Sequence, residues 1–311
     1  MARDSLPDFK QLFERGFAER NERERSEWHV EPSIDEYHGD EKTWHWHASA
    51  IGGCVRAQIL KRAGMAPDPP TVDSEMAFAF GHVIHSAAED FLNAHILEDI
   101  TGGEWRAYNV EGGGAHPTLA LKAKPDAILM NPLSELVGFD WKTESGASLK
   151  IRKDKAKASK SKDNVSIEHK LQVTTGAIVI EARDDLPPIK KGMVLYISKR
   201  GDRNVWEFFR EEFTITAALR KAVMQRYHDL NEAWGRYEDF GTLPPRLDPE
   251  ISFGKLGPNW RCRARDASDD RGKFCPSRSV CFNLPPVPEP AQVATIQPEP
   301  KHKIIHKSAA S

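Results

Sequence analysis

The stretch that decides the fold is "KPDAILMNPLSELVGFDWKT", residues 124–143. Two apolar runs flank the turn sequence "NPLS", and this pattern predicts an antiparallel pair of strands. If the turn is symmetric about Leu133, Asp126 lies opposite Asp140, with β-carbons about 5 Å apart. Side chains alternate along a strand, so Lys142 lies on the same face as Asp140. The hairpin therefore gathers two carboxylates and an amine in one place.

Opposed carboxylates repel each other unless something positive lies between them. A divalent cation meets this need, and oxygen ligands suit Mg²⁺ or Mn²⁺. Lys142 would then orient a water or stabilise charge that develops on a phosphoryl oxygen. The plain alternative is a surface hairpin with scattered charge, because two charged residues two apart are common by chance.

A helix before the hairpin carries a histidine that could join this group. In "GHVIHSAAEDF", Gly81, His85 and Glu89 recur every four residues and so share one helical face. His85 could supply a nitrogen ligand to the same metal, although a lone histidine is more often structural.

The remaining pattern predicts helices on both sides of a central set of strands. The predicted helices cover residues 5–28, 55–62, 76–98, 165–180 and 216–237, and the predicted strands cover residues 119–130, 135–143, 191–199 and 204–215. This order suits an α/β domain with a mixed sheet and extensions at both ends.

Composition predicts a soluble protein of the cytoplasm. The hydrophobic share is 39%, the charged share is 29% and the net charge is −2. No stretch has the length of a membrane-spanning helix, and the start has no apolar segment typical of a secretory signal. In a reducing compartment, cysteines are metal ligands or free thiols more often than disulfides.

The four cysteines fall into two groups far apart in the sequence. Cys54 stands near the N-terminus, and Cys262, Cys275 and Cys281 stand near the C-terminus. Thiolates favour iron–sulfur clusters or zinc. Zinc sites typically pair cysteines two to four residues apart, and the short repeats of ferredoxins are absent too. Spacing alone leaves a cluster, zinc and unrelated structural cysteines open.

Together, "GHVIH", "KPDAIL", "GFDWKT" and "HKLQ" resemble the RecB-type PD-(D/E)xK nucleases, most closely the Cas4 and AddB-like branch that carries an iron–sulfur cluster. The resemblance spans about residues 45–283. It implies a restriction-endonuclease-like α/β core, in which a mixed central sheet is flanked by helices and a cysteine-ligated segment follows. Residues 1–44 would form a helical extension and residues 284–311 a disordered proline-rich tail.

Carried over residue by residue, the resemblance implies an active site and a cluster site. The implied catalytic residues are His85, Asp126, Asp140, Lys142 and Gln172. The backbone carbonyl of Trp141 is a further metal-ligand candidate beside His85, Asp126 and Asp140. Cys54, in the setting "SAIGGCVR", would join Cys262, Cys275 and Cys281 around a [4Fe-4S] cluster, with zinc as the second choice.

Two features depart from the family pattern. The glutamine is usually followed four residues later by tyrosine, and here that position is Gly176; Tyr196 is a candidate to compensate. The first two cysteines of the C-terminal trio normally stand close together, whereas twelve residues separate Cys262 from Cys275.

A basic run, residues 150–162, leaves the second strand with seven Lys or Arg and one Asp. Such runs are most often solvated loops, but this position favours a mobile loop that attracts a phosphate backbone without sequence specificity. The expected DNA contacts are Lys150, Arg152, Lys153 and Lys155, together with Arg56 beside Cys54.

The expected function is that of a Mg²⁺- or Mn²⁺-dependent DNA exonuclease. The resemblance implies action on single-stranded ends, with 5′→3′ polarity favoured, in recombination, DNA end processing, phage replication or CRISPR adaptation, alongside protein partners of those systems. Two alternatives stay open: a nuclease-fold DNA-binding module without catalysis, which Gly176 favours, and a zinc-stapled interaction protein whose D-x-K is coincidental.

Overall fold

The structure of the protein is a computed structural model that describes residues 8–12, 15, 45–51, 53–65, 72–110, 112–159, 164–200, 205–245 and 281. The predictions for Cys262, Cys275 and the proline-rich tail lie outside these residues. Among the helices that the structure describes, none is long and apolar enough to span a bilayer.

The described residues alternate between short strands and longer helices. The strands are β1 (Trp46–His47), β2 (Arg106–Val110), β3 (Gly114–Ala115), β4 (Leu121–Ala123), β5 (Ala127–Met130), β6 (Leu136–Thr143), β7 (Lys191–Arg200) and β8 (Val205–Thr214). The helices are α1 (Val55–Arg62), α2 (Val72–Asn93), α3 (Ile96–Ile100), α4 (Gly146–Ala158), α5 (Ile167–Asp184) and α6 (Ala217–Phe240), preceded by helical residues 9–12.

Five strands form the central sheet in the order β2-β5-β6-β7-β8. All neighbours are antiparallel except β6 and β7, which run parallel and are connected through α4 and α5. A smaller sheet has the order β1-β4-β3, with β1 parallel to β4. The mixed α/β class expected from the sequence is therefore confirmed.

The central sheet buries both of its faces. On one face, odd-numbered β6 residues such as Phe139 and Trp141 pack with Phe91 of α2 and with Leu12. On the other face, strand residues such as Val194 pack with α1, α5 and α6. Period-two alternation thus sends Asp140 and Lys142 toward the α5 side, because they lie between the apolar residues of the first face.

Two glycines let α5 approach the strands that carry the aspartates. A β-carbon at Gly138 would lie 2.9 Å from Val173 Cγ1, and one at Gly176 would lie 2.9 Å from Pro125 Cβ. Both distances are shorter than side chains tolerate, so neither position accepts a larger residue without movement. Gly176 therefore has a packing reason: Pro125, directly before Asp126, occupies the space that a tyrosine would need.

Gly176→Ala is expected to lower the free energy of unfolding by about 1–3 kcal/mol, because the rigid Pro125 ring cannot rotate away. Gly235→Ala in α6 is the matched control, since a β-carbon there meets nothing within 4 Å. The control should gain up to about 1 kcal/mol from helix propensity. Urea unfolding measures the free energy of unfolding of both variants. An equal increase in the two would refute the contact between position 176 and Pro125.

Three predicted elements differ from the structure. The basic run was predicted as a mobile loop, but residues 146–158 form α4, with Ser145 accepting a hydrogen bond from Ser148 N at its start. The single helix predicted over residues 76–98 ends at Asn93, and His95 has a left-handed conformation (φ 60°) before α3 begins. The first hairpin strand, predicted over residues 119–130, is divided into β4 and β5, which belong to different sheets. The second hairpin strand and α1 agree with their predictions.

Candidate active site

The β5–β6 hairpin brings two carboxylates together at one end of the sheet. Ala127 pairs with Phe139, and this is the register of a turn symmetric about Leu133. One step further along the same register, Asp126 lies opposite Asp140, and their carboxyl groups interact directly. The N–H of Trp141 donates to Asp126 Oδ2 at 2.8 Å, which fixes the carboxylate that precedes β5.

Lys142 pairs with one of these carboxylates. Its Nζ lies 2.7 Å from Asp140 Oδ2, and both side chains are mostly buried. Burial alone would lower the pKa of the Lys142 amine, but the charges of Asp140 and Asp126 hold it above its usual range. The amine therefore stays charged beside two acids.

Two side chains from other elements complete the group. His85 on α2 places Nδ1 3.5 Å from Asp126 Oδ1. Gln172 on α5 donates from Nε2 to Asp140 Oδ1 at 3.4 Å. The five catalytic candidates named from the sequence thus converge on one site, although α2 and α5 approach it from opposite sides of the sheet.

The pKa values of the two aspartates are shifted in opposite directions. Burial raises the pKa of Asp140 to about 7, and the neighbouring Asp126 adds to this effect, while Lys142 opposes it. Burial would also raise the pKa of Asp126, but its hydrogen bond to His85 and the His85 charge hold that pKa below its usual range. The same contact raises the pKa of His85 despite the opposing effect of burial. Near neutral pH, Asp140 is therefore close to the midpoint between its protonated and ionised forms, whereas Asp126 is ionised.

The metal-free protein is expected to lose stability as pH rises from about 4 to 7. In this window the folded state holds a proton on Asp140 that the unfolded chain, with an ordinary pKa near 3.8, has released. His85 acts in the same direction, because its pKa in the folded state is raised above 6.5. The stability that its protonated form contributes is complete below pH 6.5 and is lost as pH rises through the folded-state pKa. Urea unfolding in EDTA should show the slope, and Asp140→Asn should reduce it. Parallel profiles for the two proteins would contradict the assignment.

The residues present fit a hard divalent cation that is only partly held by protein. Within the described ranges, no cluster of three or more His, Cys, Asp or Glu side chains forms a complete metal cage. Mg²⁺ typically uses one or two carboxylates and keeps several waters or phosphate oxygens. Asp126 and Asp140 supply such a pair of carboxylates, and both are mostly buried beside Lys142. The carbonyl of Trp141 stays a predicted ligand.

The predicted DNA contacts fall into two groups. Lys150 and Lys155 are exposed on α4. Arg152 instead pairs with Glu144 (Nη2–Oε1, 2.6 Å) and Glu211, and Lys153 pairs with Glu207 at 3.0 Å.

Arg56 departs from its predicted role. It is 3% exposed and donates from Nη1 to the carbonyl of Pro244 at 2.7 Å. Because a buried guanidinium cannot reach a phosphate backbone, the prediction that Arg56 contacts DNA is wrong. The side chain instead joins α1 to the segment after α6.

The structure describes two of the four cysteines. Cys54 is the residue before α1, and Cys281 packs against the apolar core that α1 also contacts. Arg226 of α6 donates to the carbonyls of Ile51 and Gly53 and so fixes the chain just before Cys54.

A polar network beside the site joins Tyr196 and Arg152, which were named from the sequence, to His169, which was not. His169 Nδ1 lies 2.9 Å from the Tyr196 hydroxyl, and the Arg152 guanidinium lies 3.7 Å above the Tyr196 ring. Tyr196 is buried and pairs in register with Lys142. Two signals could have found it: Glu144, directly after β6, follows Lys142 by two residues, and His169 precedes Gln172 by three on α5.

Comparison with known proteins gives no family assignment. No family model matches the chain, and no curated protein matches it. Among solved structures, SSO0001 aligns with a TM-score of 0.33 at 14% identity over 72% of this chain and 85% of that one. The alkaline exonuclease LHK-Exo from Laribacter hongkongensis aligns at 0.38 with 16% identity over 63% and 93%, and its complex with dAMP at 0.38 with 14% identity over 63% and 90%. These scores are too low to carry an argument about function.

Proposed function

We propose that this chain is a metal-dependent DNA exonuclease of the PD-(D/E)xK type. The observation that carries the proposal is the convergence of His85, Asp126, Asp140, Lys142 and Gln172 from α2, the β5–β6 hairpin and α5. Two mostly buried carboxylates beside a charged lysine are costly in a structural role. They suit a site that binds a cation and a phosphodiester.

Each side chain has a role that its contacts support. A divalent ion bound by Asp126 and Asp140 would lower the pKa of a water that attacks phosphorus and would neutralise the phosphoryl oxygens. Lys142 keeps its proton at Nζ and is placed to stabilise the negative charge that develops on those oxygens. His85 holds Asp126, and Gln172 holds Asp140 in orientation through its amide.

DNA would reach the site past α4. Lys150 and Lys155 are exposed there, and we propose that they contact phosphates in a sequence-independent way. Arg152 and Lys153 act first within the protein, because their charges are already paired. The favoured substrate is a single-stranded end with 5′→3′ polarity, in recombination, DNA end processing, phage replication or CRISPR adaptation.

We further propose that Cys54, Cys262, Cys275 and Cys281 bind a [4Fe-4S] cluster, with zinc as the alternative. Cys281 packs against the same apolar core as α1, and Cys54 directly precedes α1. This packing supports a site that takes cysteines from both parts of the chain. Absorption in the visible range with iron at cluster stoichiometry in anaerobically purified protein would support the cluster. Zinc without iron would support the alternative. Protein that contains neither iron nor zinc would refute the proposed cysteine site.

Digestion of DNA labelled at either the 5′ or the 3′ end tests the proposed function. With Mg²⁺ or Mn²⁺, the wild-type protein should release mononucleotides from a single strand, and the label that appears first reports the polarity. Binding without cleavage would instead support a catalytically inactive DNA-binding module. Neither binding nor cleavage would leave the interaction protein as the better account.

A further inference from the structure

An exposed aromatic pair lies at the same end of the sheet as the candidate active site. Phe80 precedes His85 by about one turn on α2, and a β-carbon on the adjacent Gly81 would lie 3.4 Å from Thr143 Oγ1 at the end of β6. Thr143 follows Asp140 by three residues on the same strand. The turn of α2 that carries Phe80 therefore crosses the end of the strand that carries Asp140, about 10 Å along the strand from that residue.

Trp206 reaches the same end of the sheet from β8. Thr143 pairs with Ile197 of β7, and Trp206 pairs with Lys199, two residues further along β7. The rings of Phe80 and Trp206 are stacked, with centroids 5.7 Å apart and planes only 3° from parallel. Each ring therefore covers part of one face of the other, and a further ring can extend this stack only on an outer face.

This aromatic pair is open on its outer side. Phe80 is 39% exposed, and Val83 of the next helical turn is 60% exposed. Leu133 lies in the hairpin turn at the opposite end of β6, and Ile151 lies on α4. The other exposed large apolar side chains among the described residues are Tyr108, Met224 and Phe240. An exposed apolar surface beside a functional site typically marks a ligand contact.

The exposed charges near the aromatic pair indicate which kind of ligand it binds. Trp206 packs with the core on the α2 side of the sheet, whereas Leu149 anchors α4 on the other side. The aspartates therefore lie between an aromatic surface and the exposed Lys150 and Lys155 of α4. A strand that crosses this end of the sheet would meet the rings on one side and the lysines on the other. Aromatic rings and cationic side chains together bind single-stranded nucleic acid, because bases stack on the rings while the backbone follows the charges. Stacked, paired bases of a duplex interior do not offer these faces.

We propose that Phe80 and Trp206 form a platform on which bases of a single-stranded DNA end stack while its phosphate reaches Asp126 and Asp140. This inference rests on the proposed nuclease function and names the residues that select single strands. Stacking requires a π-face, so the shape of the side chain alone does not provide it.

Binding in the absence of cleavage tests the platform separately from catalysis. The protein carries Asp140→Asn and is kept in EDTA, and its affinity for an oligothymidylate of about 12 nucleotides is measured by fluorescence anisotropy. Phe80→Leu is expected to weaken binding about 5- to 100-fold, whereas Phe80→Tyr keeps it within about twofold. Phe240→Leu, which changes the exposed aromatic at the end of α6, is the matched control and should leave affinity unchanged.

A second oligonucleotide makes the test independent of any folding defect. A strand of the same length with abasic sites should bind the protein with Phe80 intact about 5- to 100-fold more weakly than oligothymidylate. The Phe80→Leu protein should show little further loss with the abasic strand. Equal affinity of the Phe80 protein for both strands would overturn the platform. A wild-type protein that binds as expected but cleaves nothing would overturn the nuclease and leave the platform standing.

Discussion

Asp140→Asn is expected to abolish DNA cleavage and, at the same time, to stabilise the metal-free protein above pH 7. Activity should fall by about 10³-fold or more, because the variant removes a carboxylate from the proposed cation site and Lys142 loses its partner. Stability should rise by about 1 kcal/mol or more, because a buried carboxylate whose pKa is raised to about 7 is costly when ionised.

Opposite signs for the two effects separate a functional carboxylate from a structural one. Asp229→Asn on the exposed face of α6 is the matched control and should change neither activity nor melting temperature. If Asp140→Asn instead lowers the melting temperature and keeps its activity, Asp140 serves the fold and not the chemistry.

Lys142→Met is expected to lower the free energy of unfolding by about 3–5 kcal/mol in EDTA. Methionine keeps most of the side-chain volume but leaves Asp140 and Asp126 buried without their cation. Mn²⁺ should restore much of this stability, because it supplies the missing positive charge between the carboxylates. It should not restore cleavage, since the charge that stabilises the phosphoryl oxygens is still absent.

Lys153→Met provides the comparison for this second variant. Its partner Glu207 lies 3.0 Å away, but both side chains are partly exposed, so the loss should stay within about 1 kcal/mol and be insensitive to Mn²⁺. A Lys142→Met protein that is as stable as wild type, or one that Mn²⁺ does not affect, would contradict the proposed cation site.

The core of the site was predictable from local sequence. Asp126, Asp140 and Lys142 follow from strand alternation and from a five-residue turn, residues 131–135, that is symmetric about Leu133. Neighbouring residues determine both features. Helical spacing had already made His85 a candidate ligand, whereas only the resemblance to a nuclease family added Gln172, because no local pattern links α5 to the hairpin.

Contacts between distant residues explain the parts that could not be predicted. The basic run forms α4 because Arg152 and Lys153 find Glu211 and Glu207 on β8, more than 50 residues away in the chain. These pairings offset the charge repulsion that made the run resemble a loop. Similarly, Gly176 was interpretable only once Pro125 was found against it.

The central claim is that these residues form a metal-dependent nuclease. The most direct measurement is the initial rate of nucleotide release from end-labelled single-stranded DNA by wild type and Asp140→Asn, each in Mn²⁺ and in EDTA. Wild type in Mn²⁺ is expected to release nucleotides, and the other three reactions are expected to stay at background levels. Release that persists in EDTA, equal release by the variant, or no release by fully folded wild type in Mn²⁺ would contradict it.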